Sequence, residues 1–175
     1  MTGFRPRLIV LLVLPLAACW AGDSFYVASD SRPALPPGDY RAIPSDKPAD
    51  AQLVRVSIRS DGMTTITDRD GDHIMGFAPL GGVYFAMWYR DDASSREAVY
   101  ALFQSERGHY RLLIPICDRT RAIAAAAGAQ VVTDPKLTTC QFKTRAQLED
   151  GLRHLEGTNL DSVDFIPAAK SRHRP

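Results

Sequence analysis

Apolar and polar positions alternate with a period of two along much of this chain, which is the pattern of half-buried β-strands. Residues 54–58 place Val, Val and Ile between polar side chains, and the Asp61-Gly62 pair that follows favours a tight hairpin. Three more apolar runs, rich in aromatic and β-branched residues, lie between residues 82 and 117. The sequence therefore predicts an antiparallel meander of about seven strands, strongly curved or closed into a small barrel.

One of these runs is apolar on both of its faces. In residues 83–89, Val, Phe, Met and Tyr alternate with Tyr, Ala and Trp. A strand of this kind is buried on both sides, so a second layer has to cover the outside of the sheet. Leu148, Leu152 and Leu155 recur at helical spacing and form a narrow apolar stripe. We expect the helix that carries this stripe to be the cover.

The pattern changes to helical periodicity after the predicted strands. Asp118 is a suitable N-cap for a helix over residues 119–127, which would end before Gly128. Residues 144–147, Thr-Arg-Ala-Gln, form a capping box for a second helix, and residues 164–167 read as an edge strand. The expected fold class is α+β, with both helices packed on the meander.

Glycine and aspartate mark two features, one in the predicted strand over residues 74–80 and one in the turn before it. Gly76 interrupts this strand and predicts a bulge or a bend. The alternating aspartates of residues 68–72 resemble the start of an EF-hand loop, but His73 and Pro79 stand where that loop needs Gly and Glu. We expect a solvated hairpin turn there, and a weak surface calcium site is the alternative. No spacing of His, Cys or carboxylates predicts a metal site, and no cofactor is expected.

The N-terminus has the pattern of an export signal. Arg5 and Arg7 precede an apolar run over residues 8–16, which is shorter than the about 20 residues of a membrane-spanning helix but suits a secretory signal. The sequence Leu-Ala-Ala-Cys that ends at Cys19 resembles the lipobox of bacterial lipoproteins. The resemblance implies cleavage before Cys19 and attachment of membrane lipid to it.

The resemblance also implies a cellular location. Trp20 follows the cysteine, where lipoproteins retained in the inner membrane of enterobacteria carry Asp. We therefore expect a lipid-anchored protein of the bacterial cell envelope, on the outer membrane and facing the periplasm.

Composition divides the chain into four parts. Residues 1–18 would be the signal peptide, and residues 19–37, rich in Gly, Ser and Pro, are expected to be a flexible tether. A single globular domain is expected over residues 38–169, and residues 170–175 form a short basic tail that we expect to be disordered.

The remaining cysteines, Cys117 and Cys140, form an even pair in a chain that carries an export signal. Because the periplasm is oxidising, the pair predicts a disulfide, which would stabilise the fold by about 3 kcal/mol. Two buried free thiols are the alternative.

Charge and motifs bear on the class of function. The formal net charge of +1, with 23% charged residues, argues against a nucleic-acid partner. No serine-nucleophile motif and no phosphate-binding loop is present in the sequence. We expect a non-enzymatic binding or interaction module with an envelope protein partner, and a hydrolase with a scattered site is an alternative.

Four aromatic residues admit two interpretations. Tyr84, Trp88, Tyr89 and Tyr100 could line a ligand pocket or could fill the core. The meander, the late helix and the Gly-Asp-Tyr sequence of residues 38–40, which approaches a Gly-x-Trp motif, are loosely similar to lipocalins. That resemblance implies a further alternative, a carrier of a small apolar ligand.

Overall fold

The computed structural model describes residues 20–90, 96–133 and 138–168, and in these ranges the chain is mostly β. No helix among the described residues is long and apolar enough to cross a bilayer. Two α-helices, α1 (Cys117–Ala126) and α2 (Arg145–His154), accompany the strands. The strands are β1 (Trp20–Asp23), β2 (Gly38–Pro44), β3 (Gln52–Ile58), β4 (Thr64–Asp68), β5 (Gly71–Gly81), β6 (Tyr84–Tyr89), β7 (Glu97–Glu106), β8 (His109–Ile114), β9 (Gln130–Thr133), β10 (Thr138–Phe142) and β11 (Asp161–Pro167).

Eight of the described strands form a closed antiparallel barrel. Strands β2 to β8 pair in sequence order, β6 with β7 included, and β11 closes the ring between β8 and β2. This confirms the antiparallel meander closed into a barrel, with eight strands rather than about seven. The expectation of an edge strand over residues 164–167 was wrong, because β11 pairs on both sides and completes the ring.

The barrel interior is occupied by side chains from all eight of its strands. Inward-facing residues alternate along each strand, as a period of two requires. The Phe77 and Phe103 rings meet edge to face with their centroids 4.8 Å apart, and Ala34 and Leu35 add to this cluster. The strand residues in it are Tyr40, Ala42, Val54, Val56, Ile66, Met75, Phe77, Met87, Ala101, Phe103, Leu112, Val163 and Phe165.

A second core lies outside the barrel, over β6 and β7. Trp88 and Tyr100 are buried there in one cluster with Leu148 and Leu152 of α2 and its C-cap Leu155, and all three leucines are fully buried. The strand pair is therefore buried on both faces, as its sequence predicts. Sequence reasoning missed that residues N-terminal to the barrel contribute to this layer as well.

Residues 20–37 are part of the folded domain, which corrects the expectation of a flexible tether over residues 19–37. Strand β1 pairs with β7 on one side and with β10 on the other, and Trp20 is fully buried. Tyr26 and Leu35 are buried as well. Burial of a large apolar side chain stabilises the folded state by roughly 1.5–3 kcal/mol. The burial of these three residues therefore holds the segment in the fold despite its Gly-, Ser- and Pro-rich composition. Cys19 lies outside the described residues.

The first helix begins earlier than the sequence predicts. Residue Ile116 is its N-cap, and Asp118 lies in the first turn, where its carboxylate pairs with Arg121 at 3.0 Å. The disulfide between Cys117 and Cys140 is present and joins the first residue of α1 to β10. In α2 the expected cap is confirmed, because Thr144 Oγ1 accepts a hydrogen bond from the Gln147 backbone N–H.

The bulge that is one of the two features predicted at Gly76 is absent from the β5–β6 pairing at that residue. The register of β5 and β6 runs unbroken through the pair Gly76 and Trp88, and the irregularity falls between Pro79 and Gly81. A Cβ atom on Gly76 would lie 2.0 Å from Cζ2 of Trp88. The missing side chain therefore makes room for the indole ring.

We predict that Gly76→Ala destabilises the domain by at least about 2 kcal/mol, because the new methyl group overlaps a buried ring that cannot move without repacking. Urea unfolding measures the change. In a Trp88→Leu background the same substitution should cost less than about 1 kcal/mol, since the overlapping atoms are gone. Equal costs in the two backgrounds would show that the ring is not the cause.

Candidate binding site

A surface pocket with a volume of about 310 Å³ lies over the outside of β5 and β6. This volume is at the lower end of the range for small-molecule pockets. Its wall comes from the β3–β4 hairpin tip, the two strands and the segment after β1. The lining residues are Tyr26, Ala28, Arg59, Asp61, Met63, Asp72, Ile74, Trp88, Tyr89 and Arg90.

Aromatic rings form the floor of the pocket. Trp88 stacks on Tyr26, with their ring centroids 5.0 Å apart and their planes inclined by 19°. Both side chains are almost fully buried, and Tyr89 beside them is half-buried. The absence of a side chain at Gly76 leaves room for the indole ring. Because Tyr26 and Trp88 are almost fully buried, a ligand would contact mainly Tyr89 and the rim residues.

Charged residues of both signs form the rim. The Arg59 guanidinium and the Asp61 carboxylate are 3.1 Å apart, and the backbone N–H of Met63 donates to the same carboxylate. The hydrogen bonds from Arg59 and then from Met63 lower the pKa of Asp61. Asp72 accepts a hydrogen bond of 2.6 Å from the Thr67 hydroxyl. The rim thus combines a fixed ion pair with a second carboxylate.

The structure brings two of the four predicted aromatic residues to this pocket. Trp88 and Tyr89 line it. Tyr84 is at the other end of β6, opposite Gln104. Tyr100 is fully buried and fixes the chain after β1, because its hydroxyl donates to the Asp23 carbonyl and accepts from the Phe25 N–H.

Sequence reasoning missed Tyr26 and Arg59 as pocket residues. Tyr26 lies in the segment expected to be a tether, where the apolar run of residues 25–27 indicates at most a short edge strand. Arg59 had no local signal, because its contact with the pocket depends on where the β3–β4 hairpin lies in the fold.

Tyr26 also joins the pocket to α2. Its hydroxyl donates to Glu149 at 3.1 Å, and the Arg145 guanidinium lies 4.3 Å from its ring centroid. Burial raises the pKa of Tyr26 well above its usual value, and the charge of Glu149 adds to the shift. Burial acts to raise the pKa of Glu149 too, but hydrogen bonds from Arg145 and Tyr26 outweigh it and the pKa is lowered.

The aspartate-rich turn between β4 and β5 uses its first carboxylate to close the hairpin. Asp68 accepts hydrogen bonds from the backbone N–H groups of Asp70 and Gly71, at 2.7 and 3.1 Å. His73 Nε2 lies 3.3 Å from the same carboxylate. In the part of the chain that the structure describes, no group of three or more His, Cys, Asp or Glu residues could hold a metal ion.

Comparison of the chain with models of protein families, with curated proteins and with solved structures gave no match. The chemistry of the pocket is therefore inferred from its own residues. The described lining offers apolar contact, chiefly from the half-buried Tyr89, and charged groups of both signs at the rim.

Two buried tyrosines should make the domain lose stability in alkali. Burial raises the pKa of Tyr100 to about 12, and that of Tyr26 is raised further, whereas an unfolded tyrosine titrates near 10. Above pH 10 the unfolded chain therefore releases these protons first, and stability falls by up to about 1.4 kcal/mol per pH unit for each tyrosine.

The test is urea unfolding of wild type, Tyr26→Phe and Tyr100→Phe between pH 8 and 11.5. Each variant should lose stability less steeply than wild type above pH 10. Below pH 9 the difference between variant and wild type should stay constant. Identical slopes above pH 10 would contradict the prediction.

Proposed function

We propose that this protein is a lipid-anchored lipoprotein of the bacterial cell envelope, acting as a non-enzymatic binding or interaction module. The lipobox-like sequence ending at Cys19 supports the anchor, and an outer-membrane position facing the periplasm follows from Trp20. The Cys117–Cys140 disulfide fits an oxidising compartment. The binding role is assigned to the pocket over Trp88 and Tyr89.

The filled interior of the barrel is the observation that carries the binding role. Side chains from all eight ring strands occupy the space that a carrier barrel of this size leaves for its ligand. The pocket outside the barrel, in contrast, is open and has an aromatic floor with a charged rim. We therefore assign partner binding to this outer surface, through the half-buried Tyr89 and the charged rim residues.

A carrier of a small apolar ligand is the second candidate, and the closed ring of eight antiparallel strands favours it. Barrels of this size can hold one small ligand. For this to happen here, the Phe77 and Phe103 rings would have to move apart. The surface module needs no such rearrangement, so we prefer it.

The lipid anchor is tested by mass spectrometry of the protein from membranes of cells that make the full chain. We expect the mature N-terminal peptide to begin at Cys19 and to carry the mass of the attached acyl chains. Cys19→Ser should prevent this modification and release the protein from the membrane fraction. An unmodified N-terminal peptide in the wild type would overturn the anchor.

The binding role is tested by a photo-crosslinking amino acid placed at Tyr89 or, as the matched control, at the exposed Leu53 on β3. Light should give a discrete adduct in cells from position 89 and none from position 53. Arg59→Ala should weaken the adduct while changing the free energy of unfolding by less than about 1 kcal/mol, because Arg59 and Asp61 form a surface pair.

A dansyl-labelled fatty acid separates the two candidates. The surface module predicts no saturable binding of this probe to the purified chain. Saturable binding, together with no adduct at position 89, would favour the carrier.

A further inference from the structure

We propose that the acylated N-terminus holds the domain directly against the bilayer, with the surface at the start of β1 and the β9–β10 ends facing the lipid headgroups. This inference rests on the proposed lipid anchor at Cys19. It differs from the expectation of a flexible tether, which would let the domain move freely relative to the membrane.

The first step is that Trp20 is fixed in the core. It pairs with Tyr100 of β7 and with Cys140 of β10 and is fully buried. The indole N–H donates to the Thr120 hydroxyl of α1 at 2.8 Å, and the ring lies 4.9 Å from that of Phe142. Two strands and a helix therefore determine where the chain enters the domain.

The second step is the length of chain between lipid and core. Consecutive Cα atoms are about 3.8 Å apart, so the residue that carries the lipid is one peptide unit from a buried side chain. A flexible tether over residues 20–37 would span roughly 20–25 Å on average and would let the domain turn freely. With Cys19 at the membrane surface, the fold around Trp20 has to lie at headgroup level.

The third step identifies the part of the domain surface that lies next to the attachment point. Strand β10 runs parallel to β1 with Cys140 beside Trp20, so its first residue, Thr138, extends past Trp20 on the side of Cys19. Thr133 of β9 pairs with Thr138, and it is exposed. Val132 next to it is 38% exposed. The ends of β9 and β10 therefore lie next to the point of attachment.

The opposite side of the barrel is equally well defined. Strand β1 extends from β7, and β3 is four strands from β7 in either direction around the ring. Leu53 on β3 is 72% exposed. It should therefore lie farther from the attachment point than Thr133.

The arginines near the attachment point form ion pairs with neighbouring aspartates. Arg119 and Arg121, in the first turns of α1, are paired with Asp161 and Asp118 at 2.7 and 3.0 Å. Such balanced pairs give little attraction to anionic lipid. The orientation should therefore come from the short covalent link and should also form on neutral membranes.

The experiment uses the chain from Cys19 to Pro175 with its disulfide intact, so that Cys19 is the one free thiol. This thiol is coupled to a maleimide phospholipid in neutral phosphatidylcholine vesicles. A fluorophore is attached through an azide-bearing amino acid at position 133 or, as the control, at position 53. Lipids with a spin-labelled headgroup act as the quencher.

We expect quenching at position 133 to be at least about threefold stronger than at position 53. Insertion of roughly fifteen Gly and Ser residues between Cys19 and Trp20 should make the two positions similar, because the longer link lets the domain turn. Equal quenching without the insertion would overturn the inference. Because the lipid is attached chemically, this result is independent of acylation in cells, which the mass of the N-terminal peptide tests separately.

Discussion

The outer face of β6 and β7 is the constraint on which the rest of the structure depends. Trp88 and Tyr100 project outward from a barrel whose interior is already filled, so they need a second apolar layer. Trp20, Tyr26 and the leucines of α2 form that layer. Gly76 contributes by having no side chain, since the Trp88 ring occupies the space where its Cβ would lie.

This constraint explains why the chain leaves the barrel between β8 and β11. Strand β8 pairs with β7 only from Leu102 onwards, which leaves the first half of that edge of β7 open for β1. The segment between β8 and β11, which contains α1, β9, β10 and α2, provides two things. Strand β10 pairs with β1, and the leucine stripe packs in the same apolar cluster as Trp20 of β1. The disulfide ties the start of this segment to β10, and β11 then closes the ring.

Local patterns in the sequence predicted what local contacts determine. Alternation identified the meander, and the spacing of Leu148, Leu152 and Leu155 identified a buried helix face. Apart from the start of α1, the main failures involve distant contacts: Trp20 with β10, β11 with two strands far along the chain, and Tyr26 with Trp88 and Glu149. In particular, a Gly- and Ser-rich segment looks flexible unless the burial of its few large side chains is known.

Trp20 connects the folding of this domain to its proposed attachment. The side chain that locks β1 between β7 and β10 belongs to the residue next to the proposed lipid-bearing cysteine. Any force on the lipid is therefore applied directly to a strand that covers Tyr100 and borders the disulfide, not to a loop. A link this short would restrict how the binding pocket can be placed relative to the membrane. Such a restriction favours a partner that is itself held at the envelope, because less rotational freedom then remains to be lost on binding.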